Sequence, residues 1–209
     1  VLNIAVLISG SGTNLQALLN AQKEGRLKAG TIRLVISDRP DAYGLTRAAE
    51  NGIPALTINR KDYRDSREFG KAISEHLRAH DIHLVVLAGF LSILGEAIVR
   101  EYSHRMINIH PSLIPSFCGE GYYGLKVHRA VLEKGVKVTG ATVHYVSEVA
   151  DGGRIIMQQP VFVREDDTPE SLQKRVMEEA EWIMLPKAVD QVCTALTYKE
   201  ERQVENESL

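Results

Sequence analysis

The sequence is poor in the features that mark several large functional classes. It has two cysteines, Cys118 and Cys193, in 209 residues. Neither belongs to a C-x-x-C pair, so the usual zinc spacing is absent. Two buried or incidental thiols suit a reducing compartment, and the expected location is cytoplasmic. No apolar run reaches the roughly eighteen residues of a membrane helix. The opening stretch VLNIAVLISG lacks a basic leader and a small-residue cleavage site, so it reads as a buried strand rather than a signal peptide. Neither sign of charge is in excess: 25 Lys and Arg face 27 Asp and Glu, a formal net charge of -2. A nucleic-acid-binding domain would usually be basic, so no nucleic-acid or membrane partner is expected. There is no Gly-x-Ser-x-Gly nucleophile elbow and no Gly-Lys-Ser/Thr phosphate loop. His76, His80, His83, His104, His128 and His144 form no metal-ligand spacing, and no metal is expected. Internal repeats and low-complexity linkers are also missing.

What is present is an ordinary globular composition, with 44% hydrophobic residues. Asn3 to Ile8 is a continuous apolar run, as a strand buried on both faces requires. Leu15, Leu18 and Leu19 then recur at helical spacing. Strands are expected at Thr31 to Ile36, Ala55 to Ile58, Leu84 to Ala88 and Met106 to Ile109. Helices are expected at Tyr43 to Glu50 and Ser66 to His80. This alternation predicts an α/β fold with a doubly wound, mostly parallel sheet of Rossmann type. The second half changes character. Val138 to Val146 and Arg154 to Val163 read as strands joined by a turn at Asp151-Gly152-Gly153, an antiparallel addition to the sheet. Pro169 to Ala195 reads as a long helix capped by Thr168, with Pro186 kinking or interrupting it. Residues 1–198 are expected to form one domain and 199–209 a frayed polar tail.

Four constellations could carry chemistry. The loop Ser9-Gly10-Ser11-Gly12-Thr13-Asn14 joins the first strand to the first helix. A helix N-terminus offers free N–H groups and the positive end of a dipole, and glycines let an anion approach the backbone. A phosphate monoester suits it; a plain tight turn with a Thr or Asn cap is the alternative. Leu15 stands where a dinucleotide fingerprint has its third glycine. Asp38, after the second strand, comes later than that motif's ribose-binding acid. In Asn108-Ile109-His110-Pro111-Ser112-Leu113-Ile114-Pro115, Asn108 and His110 alternate at a strand end and project to one face, about 7 Å apart. Asn can donate to a developing oxyanion and His can exchange a proton near neutrality. Alone, Asn-x-His fits a hydrogen-bonded structural histidine as well as a catalytic one. Asp151-Gly152 by itself is an ordinary hairpin turn. Glu181 by itself is an ordinary surface glutamate, like Glu178 and Glu179.

Together these residues resemble the folate-dependent phosphoribosylglycinamide formyltransferases. The resemblance runs from about Asn3 to about Leu196 and rests on VLISGSGTNLQAL, LAGFLSIL, INIHPSLIPSF, GATVHYV with DGGRIIMQ, and EAEWIMLP. It implies a formyltransferase-like fold and transfer of the formyl group of 10-formyltetrahydrofolate, a cosubstrate, to the amine of 5-phosphoribosylglycinamide in de novo purine biosynthesis. It implies that Gly12, Thr13 and Asn14 hold the phosphate and Glu181 the ribose hydroxyls. Leu91, Ser92, Ile93 and Leu94, with Ser147, Glu148, Val149, Ala150 and Asp151, would line the pterin pocket, and Arg67 would meet the folate side. Asn108, His110 and Asp151 would be the catalytic set, with Asn108 and a protonated His110 stabilising the tetrahedral oxyanion. Asp151 would keep His110 charged and raise its pKa. A homodimer is compatible with the resemblance.

Three departures from the family's pattern stand out: Ser92 replaces a frequent Arg, Trp182 a frequent His, and Cys118 to Lys126 is longer than in many relatives. Two rival enzymes share the signature. Formyltetrahydrofolate hydrolase carries an extra N-terminal regulatory domain, not expected here because Val1 leads directly into the first strand. Methionyl-tRNA formyltransferase carries a C-terminal RNA-binding domain and a basic balance. A non-catalytic nucleotide-binding module would explain the glycine loop but leave Asn108, His110 and Asp151 without a purpose.

Overall fold

A computed structural model describes the backbone of residues 1–207 and the side chains of residues 1–198. Seven strands form one sheet: β1 (Leu2–Ile8), β2 (Gly30–Ser37), β3 (Ala55–Thr57), β4 (Leu84–Leu87), β5 (Met106–His110), β6 (Val138–Tyr145) and β7 (Ile155–Phe162). Their order is β3-β2-β1-β4-β5-β6-β7. The first five run parallel, and β6 and β7 are added antiparallel. The expected architecture is therefore the observed one.

The apolar run of β1 serves both faces of the sheet. Ile4, Val6 and Ile8 pack with Leu15 and Leu18 of α1 (Thr13–Lys23) in one core layer. Ala5 and Leu7 pack with Phe69, Ile73 and Leu77 of α3 (Ser66–Ala79) in the other. Alternate side chains of a strand point to opposite faces, so a central parallel strand needs apolar residues throughout. Helix α2 (Tyr43–Glu50) matches its expected bounds. Two helices had no clear sequence signal, α4 (Glu96–Glu101) and α5 (Leu125–Lys134).

The expected long C-terminal helix is built differently. Helix α6 (Pro169–Val176) starts at the capping box of Thr168 and Ser171. A π-helical turn, Met177–Glu181, then leads into α7 (Trp182–Glu207). The interruption thus lies upstream of Pro186, which sits inside α7. α7 also passes the expected end at Ala195 and takes in most of the predicted frayed tail; residues 195–207 contain neither Gly nor Pro to stop it. The side chains of that tail, and Ser208 and Leu209 entirely, lie outside the described residues.

The strand order reverses between β1 and β4, and ligands of open α/β sheets bind at the carboxyl ends of strands beside such a reversal. The glycine loop leaves β1 there, residues 88–95 leave β4, and Asn108 and His110 end β5.

Candidate active site

One cavity of about 780 Å³ runs along this edge. Its lining includes Gly12, Thr13, Asn14 and Glu181 at one end and Asn108, His110 and Asp151 at the other. Leu91, Ser92, Ile93 and Leu94 also line it, as do Ser147, Glu148, Val149 and Ala150. Of the site residues that the family resemblance implied, only Arg67 is left out of the lining. It is exposed on the first turn of α3, where its backbone lies against Gly95, just past Leu94 at the cavity's lip.

The glycine loop has the form an anion site needs. Gly12 is the N-cap of α1 in the left-handed region, and no side chain caps the helix. The first-turn N–H groups therefore lack a side-chain acceptor. A Cβ on Gly12 would lie 2.6 Å from Gly44 Cα, so the close approach of the two backbones requires glycine. The Asn14 side chain turns toward the C-terminal helices, where its Nδ2 donates to Glu181 Oε2 at 2.6 Å. Glu181 is not the surface residue its neighbours suggested: it is 6% exposed. The π turn rotates it inward, and such turns are frequent at functional sites. Burial raises the Glu181 pKa, and the Asn14 hydrogen bond opposes the rise.

At the other end, Asn108 and His110 project from β5 to meet Asp151. His110 Nδ1 is 3.5 Å from Asp151 Oδ2, and Asn108 Nδ2 is 3.5 Å from Asp151 Oδ1. These are long contacts, open to exchange for a substrate atom. Asp151 lies in residues 146–154, a loop rather than the tight hairpin that the Asp-Gly pair suggested, and its φ is +52°. Gly119 N donates to its Oδ2 at 2.8 Å.

Hydrogen bonds set both imidazoles. His110 Nε2 is 2.9 Å from the Phe117 carbonyl, which can only accept, so Nε2 carries a proton and Nδ1 faces the cavity. His144, which the sequence reading left without a role, sits directly across from Asn108 in the β5–β6 register. Its Nδ1 meets the Tyr145 carbonyl at 2.9 Å, and its Nε2 is 3.1 Å from Asn108 Nδ2 and 3.4 Å from Asp151 Oδ1. Period-two alternation in β6 could have placed His144 on a face, but not opposite Asn108, because register is not written locally.

The electrostatics overturn one expectation. The His110 pKa is lowered, not raised. Burial is the largest influence and outweighs the Phe117 carbonyl and the Asp151 carboxylate, while His144 adds to the lowering. For Asp151 burial is again the largest influence and raises its pKa. The hydrogen bonds from His144 and Gly119 and the charge of His110 together outweigh it, so the net shift is downward. The site at rest is a carboxylate beside a His110 imidazole that resists protonation. No group of three metal-ligating side chains occurs among the described residues.

The departures from the family pattern also fall in place. Gly119 to Gly124 of the long loop line the cavity, so this segment covers the site. Ser92 Oγ donates to the buried Asp38 at 2.5 Å, and Leu91 N donates to Ser9 Oγ at 2.7 Å. These bonds pin residues 91–94 to the ends of β2 and β1. Trp182 follows Glu181 and lines a separate smaller groove with Gln16 and Arg47.

Known proteins are similar to this chain over most of its length. The chain is 43% identical over 191 residues to the trifunctional purine biosynthetic protein adenosine-3 of Gallus gallus, covering 91% of this chain but 18% of that protein. The chain thus spans under a fifth of the length of that relative. It is 42% identical over 176 residues to the phosphoribosylglycinamide formyltransferase of Escherichia coli (strain K12), covering 84% of this chain and 80% of that one. The crystal structure of glycinamide ribonucleotide transformylase 1 from Symbiobacterium toebii superposes with a TM-score of 0.87 at 43% identity, over 93% of this chain and 88% of that one. The model of the formyl transferase family matches residues 2–189, and with the cavity and its Asn108–His110–Asp151 cluster this places the chain in the formyl transferase family.

Proposed function

We propose that the chain transfers the formyl group of 10-formyltetrahydrofolate to the amine of 5-phosphoribosylglycinamide, a step of de novo purine biosynthesis. The observation that carries this reading is one cavity joining an uncapped, glycine-built helix N-terminus to the Asn108–His110–Asp151 cluster. A phosphate at one end and a reacting amine at the other match the two ends of that substrate. Two unpaired cysteines, Cys118 and Cys193, support a cytoplasmic setting.

In this reading Gly12 and Thr13 hold the phosphate through first-turn N–H groups and the Thr13 hydroxyl. Asn14 completes that end and orients Glu181, which accepts from the ribose hydroxyls. The folate fits the wall between Leu91 and Ala150: Leu91, Ile93 and Val149 are 54%, 73% and 69% exposed there, apolar area that a flat ring would cover. Arg67, just past the lip, suits the acidic tail of the folate where it leaves the cavity. At the centre, Asn108 Nδ2 and the Nδ1 proton of a charged His110 donate to the formyl oxygen as it gains charge. The buried imidazole resists protonation at rest; it takes its second proton from solvent water, and the resulting charge is held chiefly by the developing oxyanion, a transition-state interaction. The amine nitrogen bonds to the formyl carbon and Asp151 accepts, through a water, the proton it loses; as the bond between the formyl carbon and the folate nitrogen breaks, that proton goes on to the folate nitrogen.

The test mixes the protein with 10-formyltetrahydrofolate, with and without the ribonucleotide, and follows deformylation of the folate. Turnover is expected only with the ribonucleotide. Equal turnover without it would make the chain a hydrolase, which needs neither the glycine loop nor Glu181.

A further inference from the structure

A phosphate monoester brings nearly two negative charges, yet no Lys or Arg lines the cavity among the described residues. The charged lining is acidic instead: Glu96, Glu120, Glu148, Asp151 and Glu181. A helix N-terminus supplies only about half a positive charge. Counter-charge has to come from behind the wall.

Arg47 of α2 is placed to supply it. Its Nε donates to the Ser11 carbonyl at 2.8 Å, and its Nη1 donates to Gln16 Oε1 at 3.0 Å. It therefore spans the glycine loop and the first turns of α1. Its guanidinium carbon stacks 5.0 Å from the centre of the Tyr43 ring. It is half-buried, and among the described residues it forms no ion pair. By contrast Arg26, Arg39, Arg64, Arg78, Arg100 and Arg175 each face a carboxylate. The approach of α2 is itself enforced. Gly44 N donates to the Gly10 carbonyl at 3.0 Å, and the Gly12–Gly44 contact leaves no room for a Cβ. Two glycines thus bring an unneutralised guanidinium up behind the loop.

We infer that Arg47 is the counter-charge of the phosphate end, a positioning residue that acts through the Ser11 carbonyl and the loop's geometry rather than by lining the cavity. Its hydrogen bond draws the Ser11 carbonyl away from the anion, and its charge is screened less than a surface charge because the guanidinium is half-buried. This rests on the reading of Gly12 to Asn14 as the phosphate site.

The test compares the wild-type protein, Arg47→Gln and Arg47→Lys on two amine substrates: 5-phosphoribosylglycinamide and the same molecule without its phosphate. Arg47→Gln is expected to raise KM for the phosphorylated substrate about tenfold, the scale of one charge interaction across the loop, with kcat and the folate KM held within about twofold. On the dephosphorylated substrate it is expected to change kcat/KM little. Arg47→Lys keeps the charge and is expected to recover most of the loss. Inorganic phosphate is expected to inhibit wild type and Arg47→Lys more strongly than Arg47→Gln. Equal losses on both substrates would make Arg47 a structural prop of the loop and overturn the inference, as would an unchanged KM. If the wild-type protein itself does not distinguish the two substrates, the phosphate reading of the loop fails first.

Discussion

At one end of the cavity, Gly10 to Asn14 are contiguous in the chain and offer mostly backbone N–H groups. At the other, Asn108 and His110, His144, and Asp151 come from β5, β6 and the loop after β6, and they act through side chains. The first kind of site is made by glycine and a helix start within one short segment, with Gly44 and Glu181 packed against it from afar. The second exists only because β6 returns antiparallel beside β5. The difference teaches where damage goes. Changes at the glycine loop are expected to weaken one substrate, and changes at the assembled cluster to slow the chemistry.

The largest expected effect lies at the cluster. Asp151→Asn keeps the shape and removes the charge, and it is expected to lower kcat on the order of 10²–10⁴, the scale of an acid–base group. It also removes an influence that raises the His110 pKa, so the alkaline limb of the rate profile is expected to move to lower pH. A normal kcat would reduce Asp151 to a turn residue. Asn108→Ala follows, with an expected loss in kcat of about 10²–10³ for one oxyanion donor. Titration with a folate analogue separates its roles: weakened binding with kcat intact would make Asn108 a binding residue.

At the other end, Asn14→Leu removes the Glu181 partner and is expected to raise KM for the ribonucleotide about tenfold, the scale of one lost hydrogen bond to a charged group. The folate KM is expected to hold in the same steady-state series. An equal rise in both would erase the contrast between the two ends.

The smallest effect concerns stability and sharpens the comparison through pH. His128 of α5 is fully buried, with no partner for either ring nitrogen among the described residues, and burial followed by the charge of His110 lowers its pKa from 6.5 to about 4. The unfolded chain binds that proton at higher pH than the folded one. Stability is therefore lost as pH falls from 6.5 toward 4, by at most about 3 kcal/mol. Urea unfolding at pH 7 and pH 5 is expected to show this loss in the wild type and a smaller one in His128→Leu. Identical slopes would show that His128 is not the acid-sensitive group.

Legibility differed in the same way. The strands of the parallel half were readable because a strand buried on both faces must be apolar throughout. Gly12 to Asn14 was readable because its chemistry is local. Glu181 was not, since its neighbours Glu178 and Glu179 look the same in sequence and only the π turn separates their directions. Asp38 and Ser92, from different segments, gave no sign that they bond. The His110 pKa went the other way from the expectation because the carboxylate was foreseeable from the motif, while the depth of burial that outweighs it was not.

The amino-acid sequence by itself determined the α/β class, the order of the strands, the glycine loop, and the pair Asn108 and His110 on one face of a strand. Hydrophobic periodicity, turn residues and strand alternation are local properties, and local properties survive in a linear text. Only the tertiary structure decided that Asp151 meets His110, that His144 stands across from Asn108, that Glu181 is buried, and that Arg47 reaches the Ser11 carbonyl of the glycine loop. Each of these depends on register, on the packing of one element against another, or on how much water the fold removes, and those are settled by the whole chain closing on itself.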